Sequence, residues 1–177
     1  MARPQHRTSP GSTYFVTTKS FQRAAIFQSH SAANIIVTKL LHYRDAGAYH
    51  LHAFVLMPDQ LHLLFTPCGS TSLEKAMQLI KGGSSHQVRK QLGGRREIWQ
   101  PGFHEATIRD HADYLCKICY VNQNPVVARF TPDHADWIWG SASQRYNLDP
   151  IPQGLKPVTQ DTPMSELKLR PPTRRTA

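Results

Sequence analysis

Cysteine is scarce in this chain. Three in 177 residues are too few, and of the wrong parity, for a disulfide framework. A chain of this length buries a core that needs neither cross-links nor a structural metal. Cys116 and Cys119 form a C-x-x-C, but no second pair exists to complete a zinc site. The pair falls within an expected helix, so both read as small core residues. Acidic residues are also few: 12 Asp and Glu against 21 Lys and Arg leave a formal charge of +9. That balance argues for a polyanionic partner, nucleic acid before membrane. No apolar run is long enough to span a bilayer, so no membrane partner is expected. Residues 1–11 are polar and do not read as a signal peptide, which makes a cytoplasmic location the expectation. Internal repeats are absent. Proline is unevenly spread, with Pro150, Pro152, Pro157, Pro163, Pro171 and Pro172 crowding one end. The expected organisation is a basic lead-in over 1–11, one domain over 12–147, and a Pro-rich, poorly ordered tail over 148–177.

Within the domain, residues 14–20 are rich in β-formers and predict a first strand. Ser29 or Ser31 can cap a helix with Ala33, Ile36, Val37, Leu40 and Leu41 on one face, ending before Gly47. Residues 49–56 and 61–66 are apolar runs joined by the turn chemistry of Met57-Pro58-Asp59, an antiparallel hairpin. Ser72 caps a second helix that buries Leu73, Met77 and Ile80. The run Gly82-Gly83-Ser84-Ser85 is expected to kink that helix or to start a new one through Arg89. A basic turn, Gly93-Gly94-Arg95-Arg96, precedes a fourth strand over 103–108. Asp110 or Asp113 opens a last helix, which Pro125 is expected to end. This order predicts an α+β fold, a ferredoxin-like antiparallel sheet with helices packed on one face.

Two stretches carry possible chemistry. Side chains alternate along a strand, so Gln60 and His62 leave the sheet on one face. They are either a metal half-site or a polar hairpin with an edge histidine. A two-residue turn pairs position 62 with 55 and puts His50 and His52 on the opposite face, as solvent-facing or core residues. On the last helix Asp113, Lys117, Tyr120 and Asn124 are spaced four, three and four apart, one narrow polar stripe. Tyr120 there is either an amphipathic tyrosine with a wet hydroxyl or a reactive group. For nucleic acid, Lys81, Arg89, Arg95 and Arg96, with Lys75, Lys90 and Arg109, can neutralise phosphates. Trp99, beside the basic turn, is the nominated platform for an unpaired base. Lys117 either binds a phosphate, lowers the Tyr120 pKa, or simply pairs with Asp113 along the helix.

Met57-Pro58, Gln60-Leu61-His62, and Tyr120 followed by Asn124-Pro125 together resemble the single-tyrosine HUH transposases of the insertion-sequence-200 type, especially the REP-associated tyrosine transposases. Tyr14-Phe15-Val16-Thr17, Ile80-Lys81-Gly82, Ile98-Trp99-Gln100-Pro101-Gly102-Phe103 and Trp139-Gly140-Ser141 extend the likeness over residues 12–146. The resemblance implies a ferredoxin-like fold and a metal-dependent enzyme that cleaves single-stranded or hairpin, REP-like DNA. Tyr120 would be the nucleophile, forming a 5′-phosphotyrosine and releasing a 3′-hydroxyl. Gln60, His62 and Asn124 would be the ligands of Mg²⁺ or Mn²⁺, and the protein a monomer or homodimer. One position departs from the pattern: Gln60 stands where the family has its first histidine. An amide oxygen is a legitimate but weaker ligand for these cations. The runner-up reading is therefore a DNA-hairpin-binding protein with weakened or lost cleavage. A third, an RNA-binding module on the same fold, lacks the paired aromatics such modules stack bases on.

Overall fold

The structure, a computed structural model, describes residues 9, 11–94, 97–152 and 155. Most of the basic lead-in, Arg95 and Arg96, and nearly all of the Pro-rich tail lie outside the described residues. The elements run β1 (Tyr14–Lys19), α1 (His30–Asp45), β2 (Tyr49–Met57), β3 (Gln60–Pro67), α2 (Leu73–Leu92), β4 (His104–Thr107) and α3 (His111–Val127). The sheet order is β2-β3-β1-β4, and every neighbouring pair is antiparallel. Two β-α-β units, β1-α1-β2 and β3-α2-β4, thus interleave, which is the ferredoxin-like arrangement.

The strand alternation divides the core in two. On one face Val16, Phe54, Leu56, Leu61, Leu63 and Phe65 meet α1 through Ala33, Ile36 and Leu40, and α2 through Leu73, Met77 and Ile80. On the other, Phe15, Ala53, Val55, Met57 and Leu64 meet α3 through Tyr114, Ile118 and Val121. Helices therefore cover both faces, not one. Both crossover connections fall on one side because such connections share a hand. The remaining apolar face is closed by α3.

Ser29, Ser72 and Asp110 are the N-caps, each accepting a hydrogen bond from the backbone N–H three residues on. Contrary to expectation, α2 runs unbroken through Gly82-Gly83-Ser84-Ser85. A Cβ at Gly83 would collide with the Tyr43 hydroxyl of α1, so the glycine allows close approach of the two helices. Ser84 Oγ donates to Ile80 O (2.6 Å) and accepts from Trp99 Nε1 (3.0 Å). α3 likewise passes Pro125 and ends at Val127. A proline so near the helix end forfeits a single backbone bond, and its ring is buried.

The strand β2 carries a bulge: Leu51 pairs with Phe65 but Ala53 with Leu64, leaving His52 as the extra residue. The bulge reverses the expected facing of the first half of β2, so His52 joins the α3 face. Outside β2 the backbone N–H of Leu56 donates to Trp139 O (2.8 Å), and Trp137 Nε1 donates to Leu56 O (3.0 Å). That edge of the sheet is covered; the other edge, β4, is exposed along its length.

Candidate active site between the sheet and the third helix

The register expected for the hairpin holds, with Val55 opposite His62. On its other side His62 faces Thr17 of β1, and Gln60 faces Lys19. His62 is only 2% exposed. Its Nδ1 lies 2.8 Å from Thr17 Oγ1, while Nε2 is buried without a partner. The imidazole stacks on Phe15 (centroids 5.8 Å apart, planes at 8°) and meets the Tyr120 ring at a right angle (5.4 Å, 87°). Burial, with the Lys19 charge adding to it, pushes His62 down to about 4, so the ring is neutral at ordinary pH.

Tyr120 belongs to the stripe predicted for it, and the structure shows where that stripe lies. The buried line of α3 is Tyr114, Val121 and Pro125, with half-buried Ile118 between them. Asp113, Lys117, Tyr120 and Asn124 form the adjacent line, so Tyr120 sits at the margin of the packed face. There it meets Phe15 edge-on (5.6 Å). Burial raises the phenol above its ordinary value, and a hydrogen bond from the Asn124 side chain works the other way. A donating Asn124 amide nitrogen leaves its carbonyl oxygen uncommitted to that bond. Lys117 extends its ammonium over Phe15 (5.1 Å to the centroid), whereas Asp113 pairs with Arg109 (3.3 Å). The helix pair considered for Lys117 does not form. Cys119 is exposed and Cys116 half-buried, so neither is the core residue expected of it.

Sequence reasoning missed Phe15 and Thr17. The signal was present: pairing β1 with β3 puts positions 15, 17 and 19 on the face of Gln60 and His62. His52, now on that face too, stays outside the site. Its Nε2 bonds Thr66 Oγ1 (2.9 Å), its ring meets Tyr114 (5.9 Å), and burial lowers its pKa. Tyr114 lies six residues before Tyr120, about 9 Å along the helix.

Among the described residues no three His, Cys, Asp or Glu converge to hold a metal. The candidate donors are the His62 imidazole and the Asn124 amide, both against Tyr120, and the Gln60 amide two residues from His62 on the same strand. The amide oxygens are donors of the kind Mg²⁺ and Mn²⁺ take, and the buried, unpartnered Nε2 is the one nitrogen such a set would add.

The nominated nucleic-acid residues separate. Trp99 is 6% exposed and packs on Phe27 (4.5 Å), so it is a core residue rather than an open stacking platform. Its exchange of a surface role for a buried one follows from the Ser84 acceptor on α2. Lys81 donates to Gln100 O and Gly102 O, both at 2.6 Å, and burial lowers it to about 8. It ties down the loop before β4. Arg89, His86, Ser85 and Glu97 line a cleft of about 430 Å³ beside them. This cleft is on the α2 side of the sheet, yet at the same end as the Tyr120 site: Gln100 N donates to Lys19 O, and Lys19 faces Gln60. Of the nominated basic residues that are described, only Lys117 stands beside Tyr120.

Residues 12–124 match the profile of the IS200-like transposases. The chain belongs to that family. A REP-associated tyrosine transposase of Escherichia coli K12 is 28% identical over 111 residues, which are 62% of this chain and 61% of that protein. This IS200-like chain therefore matches less than two thirds of that relative's length. A solved structure of a REP-associated tyrosine transposase bound to a REP hairpin superposes with a TM-score of 0.69 at 22% identity. The superposition covers 86% of this chain and 90% of that one, and it shows a shared fold. Within the IS200-like fold of this protein, α3 and the sheet face opposite the crossover helices are what bring Tyr120 to His62.

Proposed function

We propose that this protein is a metal-dependent endonuclease and strand transferase that cleaves single-stranded or hairpin DNA through a 5′-phosphotyrosine at Tyr120. The observation that carries the reading is the contact of Tyr120 with His62, whose buried Nε2 faces no protein partner, beside the Asn124 amide. The DNA is of the REP hairpin kind that the names of its relatives record.

Tyr120 Oη attacks the scissile phosphorus and loses its proton. The bond to the 3′-oxygen breaks, that oxygen takes up a proton, and the 5′-phosphate remains on Tyr120. One phosphoester replaces another, so the step can run backwards onto a new 3′-hydroxyl and rejoin strands. Phe15 and His62 hold the phenol edge-on, which limits its approach to one direction. Asn124 steers the hydroxyl, and Lys117 places a positive charge on the same patch for a phosphate. Because burial keeps Tyr120 protonated at neutral pH, its proton must be removed during attack. Gln60, His62 and Asn124 would hold Mg²⁺ or Mn²⁺, which when bound draws charge from the phosphate. Arg89, which lines the α2-side cleft, would add a phosphate contact away from the chemistry, and Arg95 and Arg96 are further candidates by charge.

The test is covalent capture. With Mn²⁺ and a hairpin-bearing oligonucleotide, the protein should give an adduct that migrates slowly on a denaturing gel. Tyr120→Phe should abolish it while still binding the hairpin. An undiminished adduct from that variant would move the nucleophile elsewhere. Hairpin binding without any adduct, at every Mn²⁺ concentration, would favour the second reading, a binding protein whose cleavage lapsed with Gln60.

A further inference from the structure

His62 has one ring nitrogen engaged and one free, and the engaged one touches Thr17. The two residues are direct cross-strand partners, and Thr17 Oγ1 lies 2.8 Å from Nδ1. Phe15 covers a face of the imidazole and Tyr120 abuts it from the side, so the ring is confined to this pose. A neutral imidazole carries a single N–H, and the hydroxyl can either donate or accept. If Thr17 donated to Nδ1, the ring proton would sit on Nε2, a buried donor with no acceptor. If Thr17 accepts from Nδ1–H, its own proton must find a partner. Thr17 is only half-buried and its other cross-strand neighbour, His104, is exposed, so that proton reaches solvent.

We propose that Thr17 is a positioning residue: its hydroxyl accepts from Nδ1–H of His62 and holds the ring in the tautomer whose Nε2 lone pair faces the space beside Tyr120. The use of that lone pair by a cation rests on the proposed function; the tautomer itself does not. Orientation matters more in this chain because Gln60 leaves His62 the sole imidazole of the set. Partners that bond the far nitrogen of a ligating histidine fix its tautomer, and their loss typically weakens metal binding about 10- to 100-fold.

The experiment reads the tautomer first. Metal-free protein labelled with ¹⁵N-histidine should show His62 as the Nδ1–H form near neutral pH in a long-range ¹H–¹⁵N correlation spectrum. Thr17→Val, which keeps the shape and removes the acceptor, should shift the population toward Nε2–H; Thr17→Ser should restore it. Calorimetric Mn²⁺ affinity should fall about 10- to 100-fold in Thr17→Val and recover in Thr17→Ser. An Nε2–H tautomer in the unmutated protein would overturn the proposal, and that measurement needs no variant to fold. A Thr17→Val protein with unchanged tautomer and unchanged Mn²⁺ affinity would overturn it equally. If the unmutated protein binds no Mn²⁺ at all, the metal part of the proposed function falls, and the tautomer comparison alone decides the role of Thr17.

Discussion

Replacing His62 with glutamine should remove a defined piece of the acid sensitivity of the metal-free fold. In the folded protein burial holds the imidazole near 4, against an ordinary value of 6.5. Between those two values the unfolded chain takes up a proton that the fold excludes, so stability rises with pH across the window. The contribution of His62 is fully present above pH 6.5 and is lost as the pH falls toward 4. A gap of about 2.5 units corresponds to roughly 3 kcal/mol over the whole window, of which roughly 2 kcal/mol falls between pH 7 and pH 5. His52 is depressed in the same direction, and carboxylates add their own acid dependence, but both are common to the two proteins. The quantity to measure is therefore a difference of differences. Urea unfolding of the original protein and of His62→Gln, each at pH 7 and pH 5, should show the original losing roughly 2 kcal/mol more. Parallel losses would mean that the imidazole is solvated, and the site built around its buried nitrogen would fall with it.

Three further outcomes follow from other residues. Because Tyr120 is raised above its ordinary value, the logarithm of the rate of adduct formation should climb about one unit per pH unit from pH 6 to 9 wherever chemistry limits the rate; a plateau by pH 8 would contradict it. Gln60→His should lower the Mn²⁺ concentration for half-maximal cleavage and Gln60→Ala should raise it, by about 10- to 100-fold, while His62→Ala should abolish cleavage; identical midpoints would remove Gln60 from the ligand set. Gly83→Ala gains up to about 1 kcal/mol of helix propensity but drives a methyl into Tyr43, an overpacking cost of about 1–3 kcal/mol. Urea melts should show net destabilisation, reversing to stabilisation in a Tyr43→Leu background.

Local rules sufficed where one residue decides the outcome. Ser29, Ser72 and Asp110 cap helices because a side-chain oxygen before an apolar periodic run meets an orphan N–H. Pro58-Asp59 sets a two-residue turn, and the turn sets the Val55–His62 register. The stripe from Asp113 to Asn124 follows from helical spacing alone. The failures lie where a distant residue decides. Gly83 of α2 sits in a helix because Tyr43, forty residues earlier in sequence, needs the room. Trp99 looked like a surface aromatic beside a basic turn, but its indole finds Ser84 of α2. The bulge at His52 carries no residue-level mark, yet it reverses the facing of half a strand. That α3 takes the second sheet face, instead of joining α1 and α2, depends on the sum of Phe15, Ala53, Val55, Met57 and Leu64. These are tertiary facts, and a one-dimensional pattern holds them only after strand pairing is known.

The separate layer formed by α3 bears on how the protein comes into being. All four strands and both crossover helices are already encoded by Thr107, and the proposed nucleophile lies thirteen residues further on. On the ribosome all four strands leave the exit tunnel ahead of Tyr120, so the sheet that carries Gln60 and His62 can begin to pair while Tyr120 is still inside it. A nascent chain at that stage has the sheet without the helix that carries Tyr120. The site proposed for cleavage is therefore assembled by one late event, the docking of α3 on a sheet whose strands all precede it in the chain.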